Sequence, residues 1–103
     1  MKRKTKEEKK LLQEKANQER LSAAIGTLEN INYNYSYTVN RKSKSAIREL
    51  LVLLKNNDQK ISMSIRAANG ISILDSISRD KIIESHVRTM LWQVVSNLEG
   101  IRE

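Results

Sequence analysis

The sequence predicts a small, mainly α-helical protein with one or more short strands, in the order helix–strand–helix–helix–helix. Apolar residues recur at helical spacing over about 6–29, 43–57 and 80–99, whereas residues 30–40 alternate between apolar and polar side chains as a strand does. There is no proline, and the three glycines are isolated, so few residues would interrupt a helix. A length of 103 residues supports one domain.

The net charge of +7 is concentrated in two blocks. Residues 1–20 carry eight Lys or Arg against four Glu, and residues 41–66 carry seven against two acidic residues. We therefore divide the chain into a basic helical arm, 1–20, and a single small domain, 21–103. Because a local excess of positive charge concentrates polyanions, we expect a nucleic acid partner, most simply DNA; an acidic protein or an anionic membrane surface is the competing partner.

The first predicted helix covers about residues 6–29. Its residues are good helix formers, with no glycine before Gly26. One loosely defined apolar stripe follows from the spacing, and it consists of Leu11, Leu21, Ala24, Ile25 and Leu28.

Residues 30–40 are the clearest predicted strand. Apolar and aromatic side chains occupy every second position from Ile31 to Val39, with Asn, Ser or Thr between them. Tyr33, Tyr35 and Tyr37 would then share one face, because side chains alternate across a strand.

Two later segments have the spacing of amphipathic helices. In 43–57, Ser43 or Ser45 is the expected cap, and Val52 widens the apolar stripe; the stripe is Ile47, Leu50, Leu51 and Leu54. In 80–99, Asp80 is the expected cap, and Gly100 ends the helix. The stripe of that last helix is Ile83, Val87, Met90, Leu91, Val94 and Leu98. Trp92 falls off this stripe.

Residues 60–78 have two interpretations. Ser62 is a good N-cap, and Ile61, Ile65 and Ala68 share a helical face, with Asn69-Gly70 as the C-terminal stop. The alternative is a small α+β fold with a hairpin at 60–77, in which Asn69-Gly70 is the turn. We favour the helix.

The composition argues against catalysis and metal binding. There is no cysteine, and the single histidine, His86, has no second His or Cys with which to hold a metal. No carboxylate pair has a distinctive apolar setting, and no Gly-rich loop could cradle a phosphate. We expect no enzyme activity, no cofactor and no metal. Without cysteines or a long apolar run, we expect a cytoplasmic protein, nucleoid-associated if it binds DNA.

The segment from Tyr33 to Asn69 resembles the ribbon-helix-helix family of DNA-binding regulators and relaxosome accessory proteins. The likeness covers about a third of the chain: a strand, a helix, a turn, and a helix that opens Ile-Ser-x-x-Ile-Arg-x-Ala at Ile61. The resemblance implies a homodimer whose paired strands enter the major groove. Asn34, Ser36 and Thr38 would then face the bases. The run from Lys60 to Asp75 is also distantly similar to the central hairpin of phosphotyrosine-binding domains.

These interpretations lead to two functional classes. The first is a nucleic-acid-binding protein, used in transcription regulation or as a DNA-processing accessory factor. Its predicted contacts are Lys2, Arg3, Lys4, Lys6, Asn34, Ser36, Thr38, Arg41, Lys42, Lys44, Lys60 and Ser62. The second is a helical protein–protein interaction module or adaptor without nucleic-acid binding, in which Trp92 and residues 80–99 bind a protein partner.

Overall fold

The part of the chain that the structure describes is a bundle of four α-helices. The computed structural model describes residues 5–56, 61–80 and 83–102. The elements in chain order are α1 (Lys6–Asn34), a 3₁₀ turn (Ser36–Thr38), α2 (Arg41–Lys55), α3 (Met63–Ser78) and α4 (Ser85–Glu99). In the described ranges no residue lies in a strand.

The helices form a ring in which each one packs against two neighbours. The extensive contacts are α1 with α2 and α4, and α3 with α2 and α4. Neighbouring helices run antiparallel. Asn40, just before α2, donates to Asp80, just after α3. Asn17, in the first half of α1, donates to Arg102, just after α4. This is the up-down-up-down arrangement that short connections favour.

Helix α1 is about twice as long as the others. Its 29 residues span about 43 Å, against about 23 Å for the 15 residues of α2 or α4. Residues 5–15 are all exposed, and burial begins at Asn17 and Leu21. The first three turns of α1 therefore contribute no side chain to the core of the bundle. Leu11 of the predicted stripe is 65% exposed and lies outside the core.

The strand predicted for residues 30–40 is wrong. Helix α1 continues to Asn34 because Ala24, Leu28 and Ile31 follow one another at helical spacing and are all fully buried. The tyrosines share no buried face, since Tyr33 and Tyr37 are 78% and 81% exposed. Burial of the helical stripe thus overrides the β-favouring alternation.

The resemblance to the ribbon-helix-helix family is wrong in the same segment. Without a strand there is no ribbon to pair with a second subunit or to enter a groove. The predicted order helix–strand–helix–helix–helix is likewise replaced by four helices.

The helix favoured for residues 60–78 is confirmed as α3, whereas the alternative hairpin at 60–77 and the predicted stop at Asn69-Gly70 are wrong. Helix α3 continues through Asn69-Gly70 to Ser78, so this dipeptide is neither a hairpin turn nor a stop. A Cβ on Gly70 would lie 3.0 Å from Leu50 Cδ1 and 3.1 Å from Leu98 Cδ1. The glycine therefore allows α2 and α4 to pack closely on α3. The predicted start at Ser62 is confirmed, because Ile65 N donates to Ser62 Oγ at 3.2 Å.

The helices predicted at 43–57 and 80–99 are confirmed as α2 and α4, with different caps. Asn40 caps α2, where its Oδ1 accepts from Ser43 N at 2.8 Å. Glu84, not Asp80, precedes α4. The predicted stripes are buried: Ile47, Leu50, Leu51 and Leu54 in α2, and Val87, Met90, Leu91, Val94 and Leu98 in α4.

Candidate functional site

The most one-sided charge in the described chain lies on the first half of α2. Arg41, Lys44 and Arg48 follow one another at three- and four-residue spacing and line one shallow depression with Ser45. We call Arg41, Lys44 and Arg48 the α2 stripe. The exposed side chain of Lys42 lies beside it, above a second depression between α2 and α3. No acidic residue occurs from 41 to 48.

The α2 stripe has no carboxylate partner among the described residues. Arg41 and Arg48 are exposed, and Lys44 is half-buried. By contrast, Lys55 at the other end of α2 pairs with Glu29, and Arg79 Nη2 lies 2.9 Å from Asp75 Oδ2. The cations of the stripe therefore remain available to a ligand.

The stripe begins at the positive end of the α2 macrodipole. The first turn contributes no acidic residue of its own, and the carboxylate beside it is that of Asp80, whose Oδ2 accepts from Ser43 Oγ at 3.3 Å. Arg41 and Lys44 lie in this turn, where each cation destabilises the unliganded helix by about 0.3–1 kcal/mol at low ionic strength, whereas Arg48 lies beyond it. An anion bound at the stripe would relieve this repulsion.

The basic arm is less one-sided than the α2 stripe. Lys6 is the first residue of α1, while Lys2, Arg3 and Lys4 lie outside the described residues. Between 5 and 20, five Lys or Arg are interspersed with four Glu, which leaves only one positive charge. Lys6 lies about 40 Å along α1 from Asn34, the end of the helix that leads into α2, whereas Arg20 lies about 21 Å from that end. The start of the arm and the α2 stripe therefore do not form one surface.

The three residues predicted to contact bases share no reading face. Asn34 ends α1, where its amide bonds Asn30, and Ser36 opens the 3₁₀ turn. Thr38 is half-buried and directs its hydroxyl to Tyr35 O at 2.7 Å. Because these positions lie at a helix end and in a tight turn, the prediction that a strand contacts the bases is wrong.

The remaining predicted contacts are dispersed. Lys60 lies outside the described residues. Ser62 is half-buried as the N-cap of α3, at the end of the bundle opposite Arg41 and Lys42. Trp92 projects from α4 and is 61% exposed. Arg48 was not among the predicted site residues, although the sequence shows that it follows Arg41 and Lys44 at helical spacing.

A groove at the arm end of the bundle was not predicted. It has a volume of about 410 Å³ and lies between Lys10 to Gln18 of α1, the start of α3, and Arg102. Arg66 lines it and is 8% exposed. No sequence pattern signals this groove, because its walls come from three distant segments.

Comparison with known proteins assigns the chain to a family. The family model described as an uncharacterised protein family, UPF0147, matches residues 7–101 of the sequence. The chain belongs to the UPF0147 family. This finding also overturns the ribbon-helix-helix resemblance, since the match covers the whole bundle and is to a different family.

Several UPF0147 proteins are similar to this chain. One from Sulfurisphaera tokodaii is 35% identical over 84% of this chain and 93% of its own length, and one from Metallosphaera sedula is 36% identical with the same coverage. A UPF0147 protein of Methanothermobacter thermautotrophicus is 42% identical over 64% of this chain; that match spans 63% of the relative's length. No solved structure matches this UPF0147 chain.

Within the described ranges, none of the helices of this UPF0147 protein combines the length and the apolar character needed to cross a bilayer. The same residues include no group of three His, Cys, Asp or Glu placed to hold a metal ion.

Proposed function

We propose that this UPF0147 protein binds nucleic acid through the phosphate backbone, with the α2 stripe as the principal contact. The observation that carries the proposal is the run of unpaired cations on one face of α2, Arg41, Lys44 and Arg48, without an acidic residue between them. The overall charge of +7 favours the same class of partner.

The length of the stripe suits several consecutive phosphates. Arg41 and Arg48 are about 10 Å apart along the helix, and DNA rises about 3.4 Å per phosphate on each strand. Three side chains along this distance can therefore neutralise about three phosphates. Phosphate contacts carry no base identity, so the expected binding is largely independent of sequence.

The role that follows is that of a small cytoplasmic regulatory or accessory protein, associated with the nucleoid when DNA is its partner. The basic arm would provide a second, weaker contact. Because Lys6 and the α2 stripe lie toward opposite ends of α1, one continuous duplex would have to pass along most of that helix to reach both.

Binding to a fluorescent random duplex and to a single strand, measured over a series of salt concentrations, tests the proposal. For about three duplex phosphates the logarithm of the association constant should fall with the logarithm of salt with a slope of about −3. Arg48→Gln should weaken binding and reduce that slope by about 1.

Arg79→Gln is the matched control, because Arg79 is also an exposed arginine but pairs with Asp75. It makes the same change in net charge outside the stripe. Equal effects of Arg48→Gln and Arg79→Gln would attribute binding to net charge alone and refute the stripe. Absence of binding to either probe at low salt would refute the nucleic-acid function.

A second candidate function rests on Trp92. This large aromatic side chain is 61% exposed on α4, and tryptophan is enriched at the centre of protein interfaces. In this alternative the protein is an adaptor that binds a protein partner through α4. Loss of partner binding in Trp92→Gln, with duplex binding unchanged, would separate this role from the first.

A further inference from the structure

The groove at the arm end of the bundle has the features of an anion site. Its wall on one side is the N-terminus of α3, a helix of 16 residues that starts at Met63. The amides of the first turn of a helix have no partner within the helix, and the macrodipole makes this end positive. Ser62 Oγ accepts from Ile65 N at 3.2 Å and so satisfies one of those amides.

Arg66 supplies an independent observation. Its side chain lines the groove, is 8% exposed and donates from Nη1 to Leu54 O at 3.3 Å and to Asn56 O. Its Nε is buried and has no hydrogen-bond partner. Buried donors are nearly always satisfied, and a guanidinium offers its free edge to carboxylates and phosphates. Arg66 also has no carboxylate partner among the described residues, so an anion bound in the groove that Arg66 lines would compensate its charge.

The other charges of the groove favour the same class of ligand. Lys10 approaches from α1 and Arg102 from the end of the chain, against the single carboxylate of Glu14. Ile61 and Met63 provide apolar surface beside the helix end. A volume of about 410 Å³ is in the range of small-molecule sites.

We propose that this groove binds a phosphorylated small molecule of nucleotide size. Its phosphate would lie between the start of α3, Arg66 and Arg102, and its organic part would pack against Ile61 and Met63. The site is separate from the α2 stripe and does not depend on the proposed nucleic-acid function.

Titration of the full chain with adenosine 5′-monophosphate, followed by amide NMR signals and calorimetry, tests this proposal. We expect saturable shifts concentrated at Ser62–Arg66 and tighter binding than for inorganic phosphate. Arg66 is a buried residue of α3 that donates to carbonyl groups at the end of α2, so its replacement could unfold the protein. The exposed residues Lys10 and Arg102 are the better targets. Lys10→Gln and Arg102→Gln should each weaken binding about fivefold.

Two further variants make the test specific. Glu14→Gln removes the opposing carboxylate and should strengthen binding by about the same factor. Lys9→Gln is the matched control, because Lys9 is an exposed lysine of the same helix turn that does not line the groove. It should leave the affinity unchanged.

Three results would overturn the proposal. These are the absence of saturable shifts, equal weakening by Lys9→Gln and Lys10→Gln, and an affinity for the nucleotide no higher than for inorganic phosphate. Arg48→Gln separates this site from the α2 stripe, since it should weaken duplex binding while leaving nucleotide binding intact. Failure of either proposal is therefore visible without failure of the other.

Discussion

Asn17 holds the backbone of Arg102 with both ends of its amide. Asn17 Nδ2 donates to Arg102 O at 2.6 Å, and Arg102 N donates to Asn17 Oδ1 at 3.2 Å. Gln13 donates to the same carbonyl from one turn earlier. Asn17 is only 3% exposed, so the first buried position of α1 is an amide that fastens the residues after α4 to the long helix.

Asn17→Ala should destabilise the protein by about 1–3 kcal/mol, because it leaves backbone groups of Arg102 without their partner. Urea denaturation followed by circular dichroism measures the change. Gln18→Ala is the control, since its exposed side chain forms none of the hydrogen bonds described for Asn17. An equal, small effect from both substitutions would show that the contact contributes nothing.

Two glycines within helices should respond oppositely to a larger side chain. Gly70→Val should cost about 1–3 kcal/mol, because the new atoms would meet Leu50 and Leu98 in a closely packed core. Gly26→Ala should stabilise by about 0.5–1 kcal/mol, because a Cβ there meets nothing within 4 Å and alanine favours the helix. Thermal melting of both variants tests this. Destabilisation by Gly26→Ala would contradict a continuous α1.

The tyrosines distinguish the observed helix end from the strand predicted by sequence. Tyr35 is half-buried, and its ring centroid lies 5.3 Å from that of His86. Tyr35→Ala should therefore cost about 1–2 kcal/mol, whereas Tyr37→Ala should cost less than about 0.5 kcal/mol because Tyr37 is 81% exposed. Chemical denaturation compares the two. Equal large losses would indicate that both rings are buried, as a strand would require.

A homodimer remains a prediction, and Trp92 is its most informative residue. We expect a mass near twice 11.9 kDa at sedimentation equilibrium and a shift toward monomer in Trp92→Gln. Val52→Gln tests the other exposed apolar face on which the prediction rests: Val52 is 72% exposed on α2, diagonally across the ring from α4, so a shift in only one of the two variants shows which face pairs. A wild-type mass near 11.9 kDa at micromolar concentration would refute the dimer.

The sequence alone predicts α2 and α4, the two helices with the most regular apolar spacing. In α2 and α4, the apolar residues recur at three- and four-residue spacing, and every stripe residue within these helices is buried. Such a stripe has one consistent interpretation, because only a helix brings those positions to one face. The α2 stripe of cations follows the same periodicity, and the absence of acidic residues from 41 to 48 is a property of the sequence itself.

Tertiary packing decided the segments where local patterns conflicted. The alternation from Ile31 to Val39 favours a strand locally, but burial of Leu28 and Ile31 against the bundle extends α1 to Asn34. Asn69-Gly70 favours a turn, yet α3 continues through it, and the close approach of Leu50 and Leu98 favours a residue without Cβ there. Local preferences amount to about 1 kcal/mol or less per residue, whereas burial of a large apolar side chain contributes about 1.5–3 kcal/mol.

The groove beside Arg66 belongs wholly to the tertiary structure. Lys10, Arg66 and Arg102 are far apart in sequence, and only the antiparallel ring brings the arm, the start of α3 and the end of the chain together. The same ring places Lys6 and the α2 stripe toward opposite ends of α1, because Lys6 lies about 40 Å along the helix from Asn34, the end that leads into α2. The number and order of the charged residues follow from the sequence, but the distances between them depend on which helices pack against one another.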